Sequence, residues 1–395
     1  MKVINTKQAA EMLGISVRTL QRRALDSDIP VLPGLSDSGR GYYFDRDELA
    51  TWVADNLGGP RFRAQQLFEW LHRHRVTEFD AMTNLGKAVR ERLQTLARID
   101  PLQVDLVQRG SDGTRKLRLR TADGHAIECV LIPNEGRGYT LCVSSMVGCS
   151  LTCRFCATQT LGFERNLCTW EIVDQVYRAQ DLLEDEARAA GASWNPRVTN
   201  LVLMGMGEPL HNFNQVRRAI AIWTDEHGAA LAGRRITVST AGLVPAIERF
   251  AREGLAAEVG LAVSLNATTD AVRDTVMPIN TRWPIAELLE AVRRLPSPRR
   301  RLVTFEYVLL SGVNDTDDDV RRLAGLVGDM DAQINVIPFN PHPGAPYRRP
   351  EPEQVARFVA LARASGLRVH VRTPRGDDIA AACGQLALEG GQTGV

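Results

Sequence analysis

The chain has 395 residues, of which 44% are hydrophobic and 24% are charged, so two or three globular domains are expected. Its formal net charge of +1 excludes a strong overall attraction to nucleic acid, and such a partner has to be argued from local features. The sequence also has no apolar run near the roughly 18 residues of a membrane span and no signal-peptide core at its start. Seven cysteines, three of them clustered, favour a reducing compartment, and we expect a cytoplasmic protein without a membrane partner.

The first domain, over residues 1–56, has the pattern of a helix-turn-helix module. Short helices over 6–13 and 17–25 flank a turn at Gly14, and Ser16 is a suitable cap for the second helix. A strand pair is predicted at 39–44, followed by a third helix over 46–55. This order resembles the winged-helix domains of the excisionase and MerR type, whose second helix enters the DNA major groove.

The charge of this module leaves its partner open. Arg18, Arg22 and Arg23 on the second helix are the candidate contacts with nucleic acid. However, residues 1–56 carry seven basic and eight acidic side chains, whereas a DNA-binding domain normally has a net basic surface. Nucleic acid and protein are both candidate partners.

A second domain is predicted over 57–135, after a Gly- and Pro-containing linker. Helices are expected over 61–73 and from Thr83 to Leu96. Arginines and histidines surround the first helix, where they could contact phosphates or form an ordinary solvated face. Alternation of polar and apolar residues then predicts a hairpin of strands over 116–120 and 126–132. The pattern is that of a small α/β domain.

The third domain, over 136–395, alternates strands and helices, which predicts a parallel sheet. The expected strands are 140–147, 199–204, 235–239, 260–265, 304–310, 333–337 and 368–371. The expected helices include 170–190, 216–226, 244–253, 285–294 and 317–328. About six such repeats indicate an open barrel, in which a site lies at the carboxyl ends of the strands.

Three cysteines lie close together near the start of this domain. Cys149, Cys153 and Cys156 have the spacing C-x3-C-x2-C. A [4Fe–4S] cluster offers one iron to each of four ligands, usually cysteine thiolates, so three cysteines leave one iron open to a small molecule. Zinc and buried thiols are the alternatives. Zinc usually requires a fourth Cys or His at ligand spacing, and no histidine lies between His125 and His211.

Polar residues follow the predicted strands where a barrel site is expected. A carboxylate there suits an ammonium group, and glycine lets a ligand approach the backbone. The Gly205-x-Gly207 pair alone could be a dinucleotide turn, but no third glycine follows at that spacing. The candidate ligand-binding residues are Gly207, Glu208, Ser239, Ser264, Leu265, Asn266 and Asn340.

The cysteine motif, with Phe155 before its last member, resembles the signature of radical S-adenosylmethionine (SAM) enzymes. Further stretches resemble the RlmN/Cfr family and occur in the family's order: 141–149 around Cys142, 205–210, 340–347, and 375–386 around Cys383. The resemblance covers about 58–386 and leaves out the first 56 residues. It implies a partial (β/α)6 radical SAM barrel, an accessory RNA-binding domain, and one [4Fe–4S] cluster held by the three cysteines.

The resemblance also implies a reaction, the methylation of an adenine carbon in RNA. Adenine C2 is electron-poor and does not attack a SAM methyl group directly, so the family uses a radical. Two SAM molecules are used in each turnover, and the seven ligand-binding candidates would contact SAM. By motif match, Cys383 carries an S-methylcysteine intermediate, Cys142 resolves the protein–RNA adduct through a transient disulfide with Cys383, and Glu128 is the proton acceptor. The alternative for Glu128 is a strand residue that faces solvent.

The stretch 156–167 is nearer to RlmN than to Cfr. We therefore predict methylation of C2 of adenine in 23S rRNA, with tRNA as a second candidate substrate and flavodoxin or ferredoxin as the reductant. Cfr-like methylation of C8 is the nearest alternative. An alternative of another class is a DNA-binding regulator with a redox-sensing cluster, which would need neither Cys383 nor Glu128. Asn266 departs from the family, since many RlmN-like chains have histidine there.

Overall fold

The computed structural model describes residues 46–60, 62–134, 136, 138–193, 196–296 and 302–388. The chain divides into two compact units, Met1–Pro101 and Leu102–Val395. The two helices and the strand pair predicted within 6–44 lie outside the described residues. None of the helices within these ranges is long and apolar enough to cross a membrane.

The described part of the first unit is helical. It contains α1 (Arg46–Asn56), α2 (Phe62–His72) and α3 (Lys87–Leu96). Leu49 and Val53 of α1 and Leu67 and Phe68 of α2 are buried, which explains the amphipathic patterns of these helices. The helix expected from Thr83 begins four residues later, because the preceding residues form turns and Gly86 takes the N-cap position.

The second unit is built on one large sheet. Its order is β1-β2-β3-β4-β7-β8-β9-β10-β11-β12, and β5 and β6 form a separate pair. The strands are β1 (Gln103–Arg109), β2 (Arg115–Arg120), β3 (Ala126–Asn134), β4 (Gly138–Cys142), β5 (Met146–Gly148), β6 (Phe163–Asn166), β7 (Val198–Leu203), β8 (Ile236–Thr240), β9 (Gly260–Ser264), β10 (Val303–Leu309), β11 (Ala332–Pro338) and β12 (Val369–Val371). β1 to β4 pair antiparallel, and each later neighbour pair from β4 to β12 is parallel.

Helices connect the parallel strands, as the alternating pattern predicts. They are α4 (Thr169–Ala189), α5 (Phe213–Thr224), α6 (Val244–Arg252), α7 (Leu255–Glu258), α8 (Asp270–Val276), α9 (Ile285–Arg293), α10 (Asp317–Val327) and α11 (Pro352–Ala364). Tyr307 of β10 stacks on Phe358 of α11 with ring centroids 5.5 Å apart, so this strand packs against that helix. In the described residues β12 ends the sheet without closing onto β1, which confirms the prediction of a partial barrel.

The structure differs from the sequence prediction in one strand. The strand expected over 140–147 is wrong in its middle, because β4 ends at Cys142 and β5 begins at Met146. The side chain of Gln175 replaces a neighbouring strand there: its Oε1 accepts the Ser144 N–H at 2.8 Å, and its Nε2 donates to the Ser144 carbonyl at 2.9 Å.

The domain boundary expected at 135/136 falls inside the large sheet. β3 precedes it and β4 follows it, and these strands pair antiparallel from Val130↔Cys142 to Asn134↔Gly138. The hairpin of the predicted second domain therefore belongs with the barrel strands, and the compact division lies at Pro101. The three-domain division itself stays a prediction.

Candidate active site

The loop with the three clustered cysteines begins at a close contact between two glycines. The Cys149 N–H donates to the Gly162 carbonyl at 2.8 Å. Gly148 has a φ of +73°, and a Cβ atom there would lie 1.9 Å from the Gly162 carbonyl oxygen. Only glycine fits this position, and it lets β5 and β6 hold the start of the loop.

The three thiols of this loop are poorly stabilised as anions by the protein itself. Burial raises the pKa of Cys149 to about 12 and raises the pKa values of Cys153 and Cys156, and repulsion between the sulfurs adds to this. Backbone N–H groups of Leu151 and Gly207 donate to the Cys149 sulfur. Bound metal would supply the missing positive charge, since a coordinating thiol is deprotonated.

The donors that this loop offers can be compared with what a single metal ion and a [4Fe–4S] cluster require. Among the described residues, no three His, Cys, Asp or Glu side chains lie close enough together to ligate a single ion. A [4Fe–4S] cluster binds each cysteine through a different iron, and N–H groups aimed at sulfur are among the features that tune it. The donor set therefore fits the cluster that the motif predicts.

Glu208 lies beside this loop, after the end of β7. Only 3% of its surface is exposed, and its carboxylate accepts the N–H groups of Leu210 at 3.0 Å and Ala241 at 2.7 Å. Burial raises its pKa to about 7, and the described residues place no cationic side chain against it. A buried carboxylate of this kind suits an ammonium group from a ligand.

Gly207 has to be glycine for two reasons. Its φ is +104°, and a Cβ atom there would lie 2.6 Å from the Cβ atom of Met146. Both the left-handed backbone and the close packing against β5 exclude a larger residue. This turn aims Glu208 at the barrel interior beside Cys149 and Cys153, whose thiol pKa values its charge raises.

The ends of β8 and β9 are tied together by Arg273, a residue that sequence reasoning missed. Its guanidinium is fully buried and donates to the carbonyls of Ala241, Ser264 and Leu265 at 2.8–3.0 Å. These bonds fix the backbone at two of the predicted ligand positions, Ser264 and Leu265. Ser239 and Ser264 are themselves half-buried at the strand ends.

Asn266 and Asn340 have their side chains engaged by the protein. The Asn266 Oδ1 accepts the Val308 N–H at 2.7 Å, and its Nδ2 donates to the Met277 sulfur at 3.1 Å. A direct contact between this amide and SAM would have to break these bonds. The Asn340 Nδ2 donates to the Cys383 carbonyl at 3.0 Å, which places Asn340 beside the reactive cysteine predicted from the motif.

Cys142 and Cys383 are both free thiols, and the charge of Cys383 contributes to the raised pKa of Cys142, as expected of neighbouring groups. Burial raises the pKa of Cys142 to about 12. Cys383 is exposed as a residue, but desolvation of its thiol against its neighbours raises its pKa. The Arg372 Nη1 lies 3.8 Å from the Cys383 sulfur and 3.5 Å from the Met204 sulfur, and its charge favours the thiolates of both cysteines.

Glu128 is 1% exposed in β3, so its interpretation as a solvent-facing strand residue is wrong. Its Oε1 lies 3.4 Å from the Nζ of Lys116, and its Oε2 accepts the Leu388 N–H at 3.2 Å. The acceptor predicted by motif match therefore contacts the chain segment that carries Cys383.

The segment that carries Cys383 packs against the residues that follow the three clustered cysteines and against the residues that follow β11. The Ala157 N–H donates to the Gly384 carbonyl at 2.7 Å, and the Thr158 hydroxyl donates to the Leu386 carbonyl at 2.7 Å. Gln385 donates to the Pro341 carbonyl at 3.0 Å. The structure thus brings together Glu128, Cys142, Cys383, Asn340 and the three-cysteine loop.

Sequence reasoning missed Lys116, Arg372 and Glu306 as site residues. Lys116 stands in the run Arg-Lys-Leu-Arg-Leu-Arg, where nothing distinguishes it from its neighbours. Glu306 is buried in β10, and its Oε1 accepts the Asn335 Nδ2–H at 3.1 Å. Burial raises its pKa, and the positive charge of Arg372 partly offsets this. Of these three residues, Glu306 alone had a signal in the sequence that could have marked it as functional, because it is a charged residue inside an otherwise apolar strand.

Comparison with known proteins defines the class first. Residues 143–324 match the model of the radical SAM superfamily, residues 42–99 match the N-terminal domain of ribosomal RNA large subunit methyltransferases, and residues 3–57 match a helix-turn-helix domain. A crystal structure of a radical SAM methyltransferase from Sphaerobacter thermophilus superposes with a TM-score of 0.79 at 44% identity, over 87% of this chain and 98% of that one. The protein is a radical SAM enzyme.

Two relatives identify the family. The dual-specificity RNA methyltransferase RlmN of Anaeromyxobacter dehalogenans is 47% identical over 88% of this chain and 91% of its own length. The protein of the same name from Roseobacter denitrificans is 49% identical over 82% of each chain. The chain belongs to the RlmN family. The helix-turn-helix match confirms the motif predicted for its first residues.

Proposed function

We propose that this protein methylates C2 of adenine in 23S rRNA, and also in tRNA, in the cytoplasm. The observation that carries the proposal is that Glu128 and Cys142 meet Cys383, which lies far from both in the chain, beside the three-cysteine loop. A regulator that only sensed redox state through a cluster would not need a base and two thiols there. The names of the RlmN relatives support RNA as the substrate.

Cys149, Cys153 and Cys156 would hold one [4Fe–4S] cluster, which flavodoxin or ferredoxin would reduce. Glu208 would pair with the ammonium group of SAM, and Gly207, Ser239, Ser264, Leu265, Asn266 and Asn340 complete the proposed SAM pocket. When bound, two SAM molecules per turnover supply the methyl group and the radical that removes a hydrogen atom from it. The protein's own part is to carry that carbon on Cys383 and to bring it to adenine.

The later steps depend on the residues gathered around Cys383. Once the methylene carbon on Cys383 is bonded to adenine C2, the adduct would give up one electron to the oxidised cluster that Cys149, Cys153 and Cys156 would hold, and Glu128 would accept the ring proton. The Cys142 thiolate then attacks the Cys383 sulfur. An S–S bond forms, the bond from Cys383 sulfur to the methylene carbon breaks, and that carbon takes up a proton to become the methyl group. Two electrons from a thiol reductant reopen the disulfide.

The position of methylation is tested by mass spectrometry of digested RNA after reaction with a 23S rRNA fragment and, separately, with tRNA. We expect 2-methyladenosine from both. A product consisting only of 8-methyladenosine would support the Cfr-like alternative and contradict the proposal, and product from rRNA alone would restrict it to that substrate.

The first residues have a separate candidate role in directing the enzyme to a partner, which the helix-turn-helix match supports. The matches overlap at 42–57, and α1 in this overlap has its Leu49 and Val53 buried. A deletion of residues 1–45 therefore keeps α1, whereas a deletion of 1–56 removes it. Unchanged RNA affinity and activity after deletion of 1–45 would argue against targeting. Specific binding to an operator without SAM cleavage would instead support the regulator.

A further inference from the structure

Lys116 is a buried cation that the proposed reaction leaves without a role. Only 2% of its surface is exposed, and lysine is almost never fully buried unless it is paired. Its Nζ lies 3.4 Å from the Glu128 Oε1 and donates to the Ala380 carbonyl at 3.2 Å. Lys116 therefore connects the proposed proton acceptor to the segment that carries Cys383.

The register of the sheet shows that this pairing is specific. Arg118, not Lys116, lies directly opposite Glu128 across β2 and β3, on the same face of the sheet. Arg118 forms an ion pair with Asp105 instead, and the Asp105 Oδ2 accepts the Arg118 Nε–H at 2.7 Å. Glu128 thus pairs with its diagonal neighbour, whose long side chain also reaches the Cys383 segment.

The two ends of that segment are held by the same ion pair. Ala380 has a φ of +49° and Leu388 a φ of +58°, backbone conformations that cost free energy in residues other than glycine. Lys116 binds the Ala380 carbonyl, and the Glu128 Oε2 accepts the Leu388 N–H. Cys383 lies between these two points.

We propose that Lys116 is a positioning residue that fastens the Cys383 segment to Glu128. Its ammonium group holds one carboxylate oxygen and the start of the segment, and the other carboxylate oxygen holds the end. The carbon carried by Cys383 and the base that removes the adenine proton are thereby kept at a fixed separation. The catalytic part of this inference rests on the proposed function, while the fastening does not.

The fastening is tested by amide hydrogen exchange on the full-length protein with its cluster reconstituted. In Lys116→Met, exchange of the amides in 381–388 should rise about tenfold or more, since a tenfold change corresponds to about 1.4 kcal/mol of lost protection. Lys116→Arg should restore most of the protection. Arg118→Met is the matched control, because it removes an ion pair from the same strand and face that does not reach the segment, and its exchange over 381–388 should match wild type.

Two further measurements are hydrogen exchange in a double variant of Lys116 and Glu128, and the kcat of the Lys116 variants. Because Lys116 and Glu128 act as one unit, the double variant Lys116→Met/Glu128→Gln should exchange no faster than the faster single variant. Lys116→Met should also lower kcat on the order of 10- to 100-fold, through misplacement of reacting groups, with the KM for RNA within about twofold. Lys116→Arg should recover most of kcat, a rescue that general destabilisation would not give.

The outcomes separate this inference from the proposed function. If Lys116→Met equals Arg118→Met in exchange over 381–388 and in kcat, the inference is overturned. If exchange rises as expected but wild type makes no methylated adenosine, the fastening stands and the proposed function fails.

Discussion

The two halves of the site handle buried charge in different ways. Around the loop of the three cysteines, Glu208 is buried with no cationic side chain from the described residues against it, and its pKa is raised to about 7. Around Cys383, Glu128 is as deeply buried but pairs with Lys116, and the charge of Arg372 interacts with the thiols of Cys142 and Cys383. The first half thus leaves a buried carboxylate to which a cationic ligand group could bind. In the second half, side chains of the chain itself supply the counter-charges.

The largest effect is expected from loss of a cluster ligand. Cys153→Ala should abolish SAM cleavage and product formation and lower the iron content of the reconstituted protein, because the loop would lack one of the three proposed cluster ligands. Cys168→Ser is the control, since Cys168 caps α4 outside the cysteine motif and serine is a good N-cap. Full iron content and SAM cleavage in Cys153→Ala would contradict the assignment of the loop.

A second test concerns the buried carboxylate of Glu208. Glu208→Gln should weaken binding of S-adenosylhomocysteine roughly 10- to 100-fold, because a charge-assisted bond to the ligand's ammonium group is lost. The ammonium favours the ionised carboxylate, whose pKa is raised to about 7 by burial, so wild-type affinity should rise as pH increases through 7. Calorimetric titration at several pH values checks both expectations. A pH dependence that survives in Glu208→Gln would show that another group causes it.

A third test concerns the counter-charge that Arg372 supplies to the Cys383 half. Without it the pKa values of Cys142 and Cys383 should rise, so fewer thiolates are present at a given pH and disulfide formation slows. We expect Arg372→Met to slow diamide-driven formation of the Cys142–Cys383 disulfide about tenfold, equivalent to one pKa unit, and Arg372→Lys to slow it less. Mass spectrometry of the oxidised protein gives the rate. An unchanged rate in Arg372→Met would mean that Arg372 does not assist the thiols.

The smallest effect is expected at Asn266, a predicted SAM residue whose amide is used within the fold. Asn266→Ala would leave the Val308 N–H without its 2.7 Å partner, and we expect a loss of about 1–3 kcal/mol in the free energy of unfolding. Urea denaturation measures it. Unaltered stability together with a tenfold loss of S-adenosylhomocysteine affinity would instead show that the amide is a ligand-binding group.

The same contrast explains what could be predicted from the sequence. The three cysteines proposed to hold the cluster lie within eight residues, from Cys149 to Cys156, so their spacing alone predicts an iron–sulfur site. The parallel strands were also predictable, because β7 to β12 follow the apolar runs to within one or two residues. Local patterns determine both features, and no long-range information is needed for them.

In the second half, resemblance to a family indicated Glu128, Cys142 and Cys383, but the contacts around them were not predictable, because they join distant parts of the chain. Lys116 and Ala380 are 264 residues apart, and Glu128 and Leu388 are 260 residues apart. Alternation in β2 shows which residues share a face but not which of Lys116 and Arg118 meets Glu128. The break in the strand predicted over 140–147 had the same origin, since Gln175 on a later helix takes the backbone bonds of Ser144.

The most direct test of the central claim is an anaerobic reaction of the cluster-reconstituted protein with SAM, reductant and a 23S rRNA fragment. Wild type, Cys383→Ala and Cys142→Ala are compared side by side. We predict methylated adenosine from wild type, none from Cys383→Ala, and a covalent protein–RNA adduct that accumulates in Cys142→Ala. Normal product formation by Cys383→Ala would contradict the claim that this cysteine carries the transferred carbon.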